Sequence, residues 1–474
     1  MTFVRWGPVV LAGLMLAVLG RGALPEQPAS RSAQPAPSTE FRGSGSCSAV
    51  ACHGSIARQP GPDILRNEHT TWISYDRHSG AYQTLFDARS EQIARNLAAD
   101  PERYTPAHED ERCLACHTTP RSKTELAATS WMNQDGVGCE SCHGASGRWL
   151  GPHTTSGWNQ NDDPRQKEKL GLIDTTDLAR RAEVCAGCHV GQYSRSGLLK
   201  REVNHDLIAA GHPRLNFELT AYLANMPPHW NEKKQNADPV EPGKRAADFP
   251  ARAWAVGHIV TLRASLELLH GRSAAAGERA IPWPEFTEYG CFSCHHSLRD
   301  DAWRRRPQPA GTKLGAPRSS SWTLPLAGEL LEQLGTNPDA RSATESLGRL
   351  AAEMARAMPD PGTVERESKQ AAERIGRCLS GLDRSRFDAG LVERLITALN
   401  RPAAWDHVAS WDEATLRYLA LVPLRQAWAD LAPARRTDQD QLAAHLEELR
   451  SRLVFPSGFD SPRGFDPDKL PMGR

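Results

Sequence analysis

The sequence predicts a mainly α protein in two parts, and three observations support this prediction. All but one of the 11 cysteines and all but two of the 17 histidines lie between Cys47 and His296. Apolar residues make up only 39% and aromatic residues 7% of the 474 residues, so groups other than side chains can fill part of a core. Apolar stripes at helical spacing dominate the rest of the chain. We expect a domain with little regular structure besides helices, followed by a C-terminal helical bundle.

Composition divides the chain into five predicted segments. Residues 1–23 carry a positive charge, the short apolar run "WGPVVLAGLMLAVLG" and then small residues, which is the pattern of a signal peptide. Residues 24–43 form a Pro-, Ala- and Ser-rich linker that we expect to be disordered. The main domain spans 44–300, a polar, Pro-rich linker spans 301–320, and a helical C-terminal domain spans 321–474. We expect a periplasmic protein without a membrane span after signal cleavage, and a retained N-terminal anchor is the alternative.

Four apolar stripes predict the helices of the C-terminal domain. The stripes are Leu347, Leu350, Met354 and Met358; Ala371, Ala372, Ile375, Cys378 and Leu379; Leu391, Val392, Leu395, Ile396 and Leu399; and Leu442, Leu446, Leu449 and Leu453. Because Cys378 lies on one of these stripes, we expect a buried core thiol rather than a reactive one.

The cysteines of the main domain occur in pairs, and a histidine directly follows each pair. Four strings have the regular form Cys-x-x-Cys-His, namely "CLACH", "CESCH", "CAGCH" and "CFSCH". Two thiols at this spacing add across the two vinyl groups of one porphyrin edge, and the adjacent histidine reaches the iron. A disulfide framework or a zinc ribbon does not require that histidine, so both are disfavoured. The predicted cofactor is therefore covalently attached haem c.

The first pair, in "CSAVACHG", has four residues between its cysteines instead of two. Cys47 has no other partner, the string keeps its Cys-His end, and it heads the series of four regular motifs. The small residues Ser48, Ala49 and Ala51 suit a loop that bulges outward without separating the thiols. We expect a fifth haem here, and an unattached cysteine pair is the alternative.

Five haems are therefore predicted. The attaching cysteines are Cys47, Cys52, Cys113, Cys116, Cys139, Cys142, Cys185, Cys188, Cys291 and Cys294. The histidines expected to bind the irons from the attached side are His53, His117, His143, His189 and His295.

The second axial position of each iron is predicted to hold another histidine. The main domain has only Met132 and Met226, too few methionines for five irons, but it has ten histidines outside the motifs. The favoured distal ligands are His69, His78, His153, His205 and His212. The remaining predictions are a surface residue at His108, a helix C-terminal cap at His270, haem-propionate neighbours at His229 and His296, and either a haem ligand or a packed core histidine at His258.

The stretch "GVGCESCHGASGRWLGPH" resembles the tetrahaem cytochrome c-554 family of the nitrification electron-transfer chain, whose haem arrangement recurs in hydroxylamine oxidoreductase. The resemblance covers roughly Ser44 to Tyr193. It implies that His153, after the third motif, is the distal ligand of the first haem. It also implies that His78 is the distal ligand of the third haem, which His143 holds, although the spacing from Trp72 is one residue longer than in the family.

The family's second haem is five-coordinate, and His117 is the matching proximal residue here. The chain departs from the family in its stretched first motif, the extra His69, the fifth motif and the helical tail. These departures leave open whether His69, His205 or His212 closes the coordination opposite His117. By count of the favoured histidines, we expect full bis-histidine coordination.

Composition and motifs together favour electron transfer. Lys plus Arg and Asp plus Glu number 57 each, which gives no support for a nucleic-acid partner. We expect a pentahaem cytochrome that exchanges electrons with redox partner proteins and is an electron carrier rather than an enzyme. The alternative is an oxidoreductase for a small nitrogen or sulfur compound at an open haem near His117, although no Cys-x-x-Cys-Lys string of the pentahaem nitrite reductases occurs. A third hypothesis is a haem-bearing sensor or scaffold.

Overall fold

The computed structural model describes most of the chain from residue 40 onward. The described residues are 40–59, 64–158, 164–193, 197–231, 246–277, 282–295, 316–320, 322–334, 338–382, 385–405, 408, 410–455, 465 and 470. The predicted signal segment, most of the linker after it, His296 and most of the linker at 301–320 lie outside these residues. The predictions made for them stay predictions.

Helices are the main regular structure of the described part, and its β-structure consists of isolated bridges. The predicted mainly α fold is confirmed. None of the described helices combines the length and the apolar character that crossing a bilayer requires. The helices are α1 Glu68–Tyr75, α2 Ala88–Leu97, α3 Glu111–His117, α4 Lys123–Ala128, α5 Cys139–His143, α6 Pro164–Lys169, α7 Leu178–His189, α8 His205–Ala210, α9 Leu219–Asn225, α10 Phe249–Ala274, α11 Ala327–Gln333, α12 Pro338–Met354, α13 Pro361–Leu382, α14 Ala389–Asn400, α15 Pro402–Trp405, α16 Trp411–Leu431 and α17 Arg436–Leu453.

Helices present the second, third and fourth motifs, and side chains cap the first turns of two of them. The side chain of Asp110 accepts a hydrogen bond from a first-turn backbone N–H of α3, and Asp177 does the same for α7. Each of α3, α5 and α7 ends at the histidine of its motif. Because residues three and four apart share a helix face, each string places its two thiols and its imidazole on the same side.

The long helix α10 packs against both halves of the chain. It contacts α7, which carries the fourth motif, and it contacts α13 and α16 of the C-terminal helices. Trp254, Ile259 and Leu262 are almost completely buried, as expected for a helix that is apolar on all sides. One hydrophobic core therefore continues from Leu178 to Leu470, within the compact unit Thr39–Arg474.

The predicted apolar stripes of the C-terminal helices are buried, apart from the partly buried Leu391 and the end of one stripe. Helix α12 ends at Met354, and Met358 is 67% exposed. Pro359 follows Met358 directly, and a residue before proline is disfavoured in the helical conformation. The prediction for Met358 was therefore wrong. Cys378 is buried in the core, which confirms the prediction for its thiol.

Candidate haem sites

The extra residues of the first motif form an outward loop that lies against Gly54, the glycine directly after the motif. The carbonyl oxygen of Ala49 accepts hydrogen bonds from the backbone N–H groups of Cys52, His53 and Gly54, at 2.8, 3.1 and 3.0 Å. A Cβ atom on Gly54 would lie 1.8 Å from the carbonyl oxygen of Ser48, so only glycine fits there. The loop residues are exposed, as the sequence predicts for a bulge that leaves the thiols in place.

Two pairs of histidine rings have the separation that one metal ion between them requires. The rings of His53 and His153, which we call the first pair, have centroids 6.4 Å apart and planes 10° apart. The rings of His205 and His295, the fifth pair, have centroids 6.4 Å apart and planes 24° apart. Because a metal–imidazole bond is about 2 Å long and the ring centre lies about 1 Å beyond the nitrogen, two axial imidazoles have centres about 6 Å apart. Each pair combines a motif histidine with a predicted distal histidine, so these residues fit a haem iron.

The ring of His78 lies beside His189 of the fourth motif, and we call these residues the fourth pair. Their ring centroids are 6.0 Å apart and their planes are 71° apart. The family resemblance implies instead that His78 pairs with His143. The chain holds His78 through its backbone, because the carbonyl oxygen of His78 accepts a hydrogen bond from Val137 N–H at 3.0 Å. Spacing along the sequence does not show that the ring of His78 lies beside that of His189.

His143 of the third motif has His229 as a neighbour. Burial lowers the pKa of His143 to about 4, and the nearby positive charge of His229 contributes to this shift. The Nδ1 atom of His229 is buried and has no hydrogen-bond partner within the described residues. The sequence ranked His229 behind five other histidines because no helical stripe surrounds it. Its position in "MPPHW", between two prolines and a tryptophan that contacts its ring, is the signal that could have identified it.

His117 of the second motif has His212 as a neighbour. Burial lowers the pKa of His212, and the positive charge of His117 adds to this effect. His117 donates from Nδ1 to the carbonyl oxygen of Ala81 at 2.9 Å. His212 donates from Nδ1 to the carbonyl oxygen of Pro213 at 2.7 Å. The structure therefore brings a predicted distal histidine close to the site whose coordination the sequence left open.

Hydrogen bonds at Nδ1 prepare several of these imidazoles for an iron. A carbonyl or carboxylate oxygen can only accept, so the ring nitrogen that faces it carries the proton and Nε2 keeps a free lone pair. Metal-binding histidines commonly donate their other ring N–H in this way. The bonds are His53 to Glu68 at 3.0 Å, His78 to Asp76 at 2.9 Å, His117 to Ala81, His153 to Leu150, and His212 to Pro213.

Two of these acceptors are carboxylates, and they change the pKa of their partners. The hydrogen bond to Glu68 raises the pKa of His53, and the hydrogen bond to Asp76 raises that of His78. Burial acts to raise the pKa of Asp76, but hydrogen bonds from the His78 ring and backbone outweigh it, so the pKa lies below its ordinary value. Both carboxylates are therefore charged at neutral pH.

Attachment cysteines from different motifs contact each other. The thiols of Cys47 and Cys139 lie close enough to shift each other's pKa, as do those of Cys116 and Cys188. Buried Arg201 donates from Nη1 to Cys188 Sγ at 3.5 Å. The first and third attachment sites are thus neighbours, and so are the second and fourth.

Two other histidines lie near the sites. Among the contacts of the described residues, neither ring lies against the imidazole of a motif histidine. The backbone N–H of His69 donates to the carbonyl oxygen of His53 at 2.9 Å, and its ring packs on Trp72 with centroids 5.5 Å apart. His108 stacks on the half-exposed Phe86 with centroids 4.3 Å apart. His69 is therefore next to the first site, and His108 is near the surface as the sequence predicts.

The two histidines of α10 have packing roles. His258 is 6% exposed and stacks on Trp254 in the core, and burial lowers its pKa to about 4. Its Nε2 atom is buried and has no hydrogen-bond partner within the described residues, so its placement fits both alternatives. His270 lies four residues before the end of α10, where it donates from Nδ1 to the carbonyl oxygen of Glu365 at 3.2 Å. It joins α10 to α13 and does not cap its own helix, so the predicted cap was wrong.

Cysteine pairs on helix faces, each followed by a histidine with a second histidine nearby, define a c-type cytochrome. Residues 46–144, which include the first three motifs, match the family model described as "Cytochrome c554 and c-prime". The match supports a cytochrome c554-like multihaem cytochrome that carries haem c and transfers electrons, and it confirms the resemblance over these residues. No curated protein and no solved structure matches the chain.

Proposed function

We propose that the chain is an exported pentahaem c-type cytochrome that transfers electrons through bis-histidine haems. The observation that carries this proposal is the geometry of the first and fifth pairs. They belong to the stretched motif at one end of the series and to the last motif at the other. Both have ring centroids 6.4 Å apart with nearly parallel planes, which is the separation that two axial imidazoles on one iron need.

The neighbours described above supply one distal histidine for each motif. We assign His229 to the third site, for which the resemblance implies His78, because a ring nitrogen of His229 is buried and unpartnered and its charge affects the pKa of His143. His69 is then left out of the axial ligands. The proposed axial pairs are His53 with His153, His117 with His212, His143 with His229, His189 with His78, and His295 with His205.

The side chains in these sites have three tasks. The cysteines would hold each haem covalently, the motif histidine would bind its iron, and the second histidine would take the place that a substrate needs. Haem c supplies a reversible one-electron redox couple. Because Nδ1 of five of these histidines is engaged by a fixed oxygen acceptor, the rings are held with Nε2 available. An arrangement without an open axial position suits an electron carrier.

Export and partners follow from the same proposal. The N-terminal charge, apolar run and small residues support delivery to the periplasm, where thiols are joined to haem outside the reducing cytoplasm. The partners are other redox proteins that deliver and accept electrons. The zero net charge supports contact through local surfaces rather than strong long-range steering.

Intact mass and spectroscopy test the proposal. The mature protein should show five haem additions, and four would mean that the stretched motif is empty. The reduced protein should form no stoichiometric CO adduct. An adduct would reveal an open haem and favour the oxidoreductase alternative, with the site at His117 examined first.

The ligand assignment has its own test with a matched control. Replacing His229 with Ala should convert one low-spin haem to high-spin in the EPR spectrum. Replacing His108 with Ala should leave the spectrum unchanged, because this residue packs on Phe86 and faces no motif histidine in the contacts described. An unchanged spectrum in the His229 variant would remove that residue from the third site.

A further inference from the structure

Helix α1 presents a carboxylate at each of its ends, and both carboxylates meet an axial imidazole. Glu68 is the first residue of α1, and Asp76 directly follows the last. Glu68 Oε2 accepts from His53 Nδ1 at 3.0 Å, and Asp76 Oδ1 accepts from His78 Nδ1 at 2.9 Å. One short helix thus reaches the first and the fourth sites.

Both carboxylates are held in place by a second bond. Glu68 Oε1 accepts from the backbone N–H of Leu65 at 2.6 Å. Asp76 Oδ1 also accepts from the backbone N–H of His78 at 3.0 Å. The helix itself is anchored by buried Trp72, which donates from Nε1 to the carbonyl oxygen of Val137 at 3.1 Å. The Asp76 side chain is 4% exposed and that of Glu68 is 17% exposed, so water screens their charges only weakly.

The second site has a different kind of acceptor. His117 and His212 donate from Nδ1 to neutral backbone carbonyl oxygens, those of Ala81 and Pro213. A carboxylate acceptor increases the basicity of a ligating imidazole more than a neutral carbonyl does, and it adds a negative charge close to the metal. Reduction adds one electron to the iron and makes the site more negative by one charge. A nearby carboxylate therefore opposes reduction, whereas a neutral carbonyl does not.

We propose that Glu68 and Asp76 lower the reduction potentials of the first and fourth haems. The inference rests on the proposed bis-histidine function, because it needs His53 and His78 to be iron ligands. Glu68 and Asp76 are positioning residues that act through the imidazoles. Arg201 lies beside Cys188 at the fourth site, but its charge is the same in every variant below and cancels in the comparison.

The test replaces each carboxylate by its amide, which keeps an oxygen acceptor and removes the charge. A redox titration of the Glu68→Gln variant should move one haem to a more positive potential, and that of the Asp76→Asn variant should move a different one. A hydrogen bond to a charged group contributes about 1 kcal/mol more than one to a neutral group. At a fixed ambient potential, the ratio of reduced to oxidised haem at the affected site should therefore rise roughly fivefold, which corresponds to about 40 mV for one electron.

Glu91→Gln is the matched control. Glu91 is an exposed carboxylate on α2 that pairs with Arg95, and the substitution makes the same change in net charge. It should leave all potentials unchanged. Unchanged potentials in the Glu68 and Asp76 variants would overturn the inference. A loss of low-spin signal in those variants would also overturn the inference, because the carboxylates would then position the imidazole rings without setting the reduction potentials. Failure of the bis-histidine function would be visible earlier, as a high-spin haem at these sites in the unmodified protein.

Discussion

Replacing Gly136 with Ala should displace the loop that carries His78. Gly136 has φ +60°, and an added Cβ would lie 2.6 Å from the carbonyl oxygen of His78 and 2.8 Å from that of Ser79. The left-handed conformation costs a non-glycine residue about 1–2 kcal/mol. Moving the carbonyl of His78 also weakens its hydrogen bond from Val137 N–H, which contributes about 1 kcal/mol. We expect a total loss of about 2–3 kcal/mol, concentrated at the fourth pair.

Thermal unfolding and EPR of the Gly136→Ala variant measure this loss. The Tm should fall by a few degrees, and one low-spin haem should become partly high-spin. Gly45→Ala is the control, since no atom lies within 4 Å of its added Cβ and its backbone is not in the left-handed region. A Gly136→Ala variant with the parent's Tm and spectrum would refute the argument that this close approach positions His78.

Three further predictions concern other parts of the molecule. The first and fifth pairs should give rhombic low-spin EPR signals, and the fourth pair should give a signal with one large g value. The reason is that the angle between the two ring planes sets the splitting of the iron d orbitals. Equal signals from all three pairs would contradict the ring geometry. Asp412→Asn should lower the free energy of unfolding by about 1–3 kcal/mol, because it weakens a buried ion pair with Arg214. In the same denaturation assay, Asp438→Asn should lower it by less than about 1 kcal/mol, because the ion pair of Asp438 with Arg435 is exposed. Cys378→Ala should keep the full haem mass and cost about 1 kcal/mol, and a lost haem would show that this thiol is not a core residue.

The sequence predicts those features in which covalent chemistry or helical periodicity restricts the choice. Four Cys-His strings have the regular spacing, so the sequence alone predicts them as attachment sites, whereas the first string departs from that spacing. The stripe of α14 likewise places Val392 and Leu399 in the core, where they are found. The neighbour of each imidazole depends on contacts between distant segments, so sequence spacing does not reveal that the ring of His78 lies beside that of His189. His229 lies in an irregular segment, where no period distinguishes a ligand from a surface residue.

The continuity of the core across α10 has a consequence for how the tail moves. Helix α10 packs on α7 and also on α13 and α16, so within the described residues the fourth motif and the C-terminal helices share one hydrophobic core. Motion of the tail relative to the fourth motif would have to break this packing, which opposes the swinging of a tethered module. A redox protein that binds the outer surface of the tail is held at one distance and one orientation from the fourth site. Docking geometry is in that case determined when the chain folds, before any partner arrives.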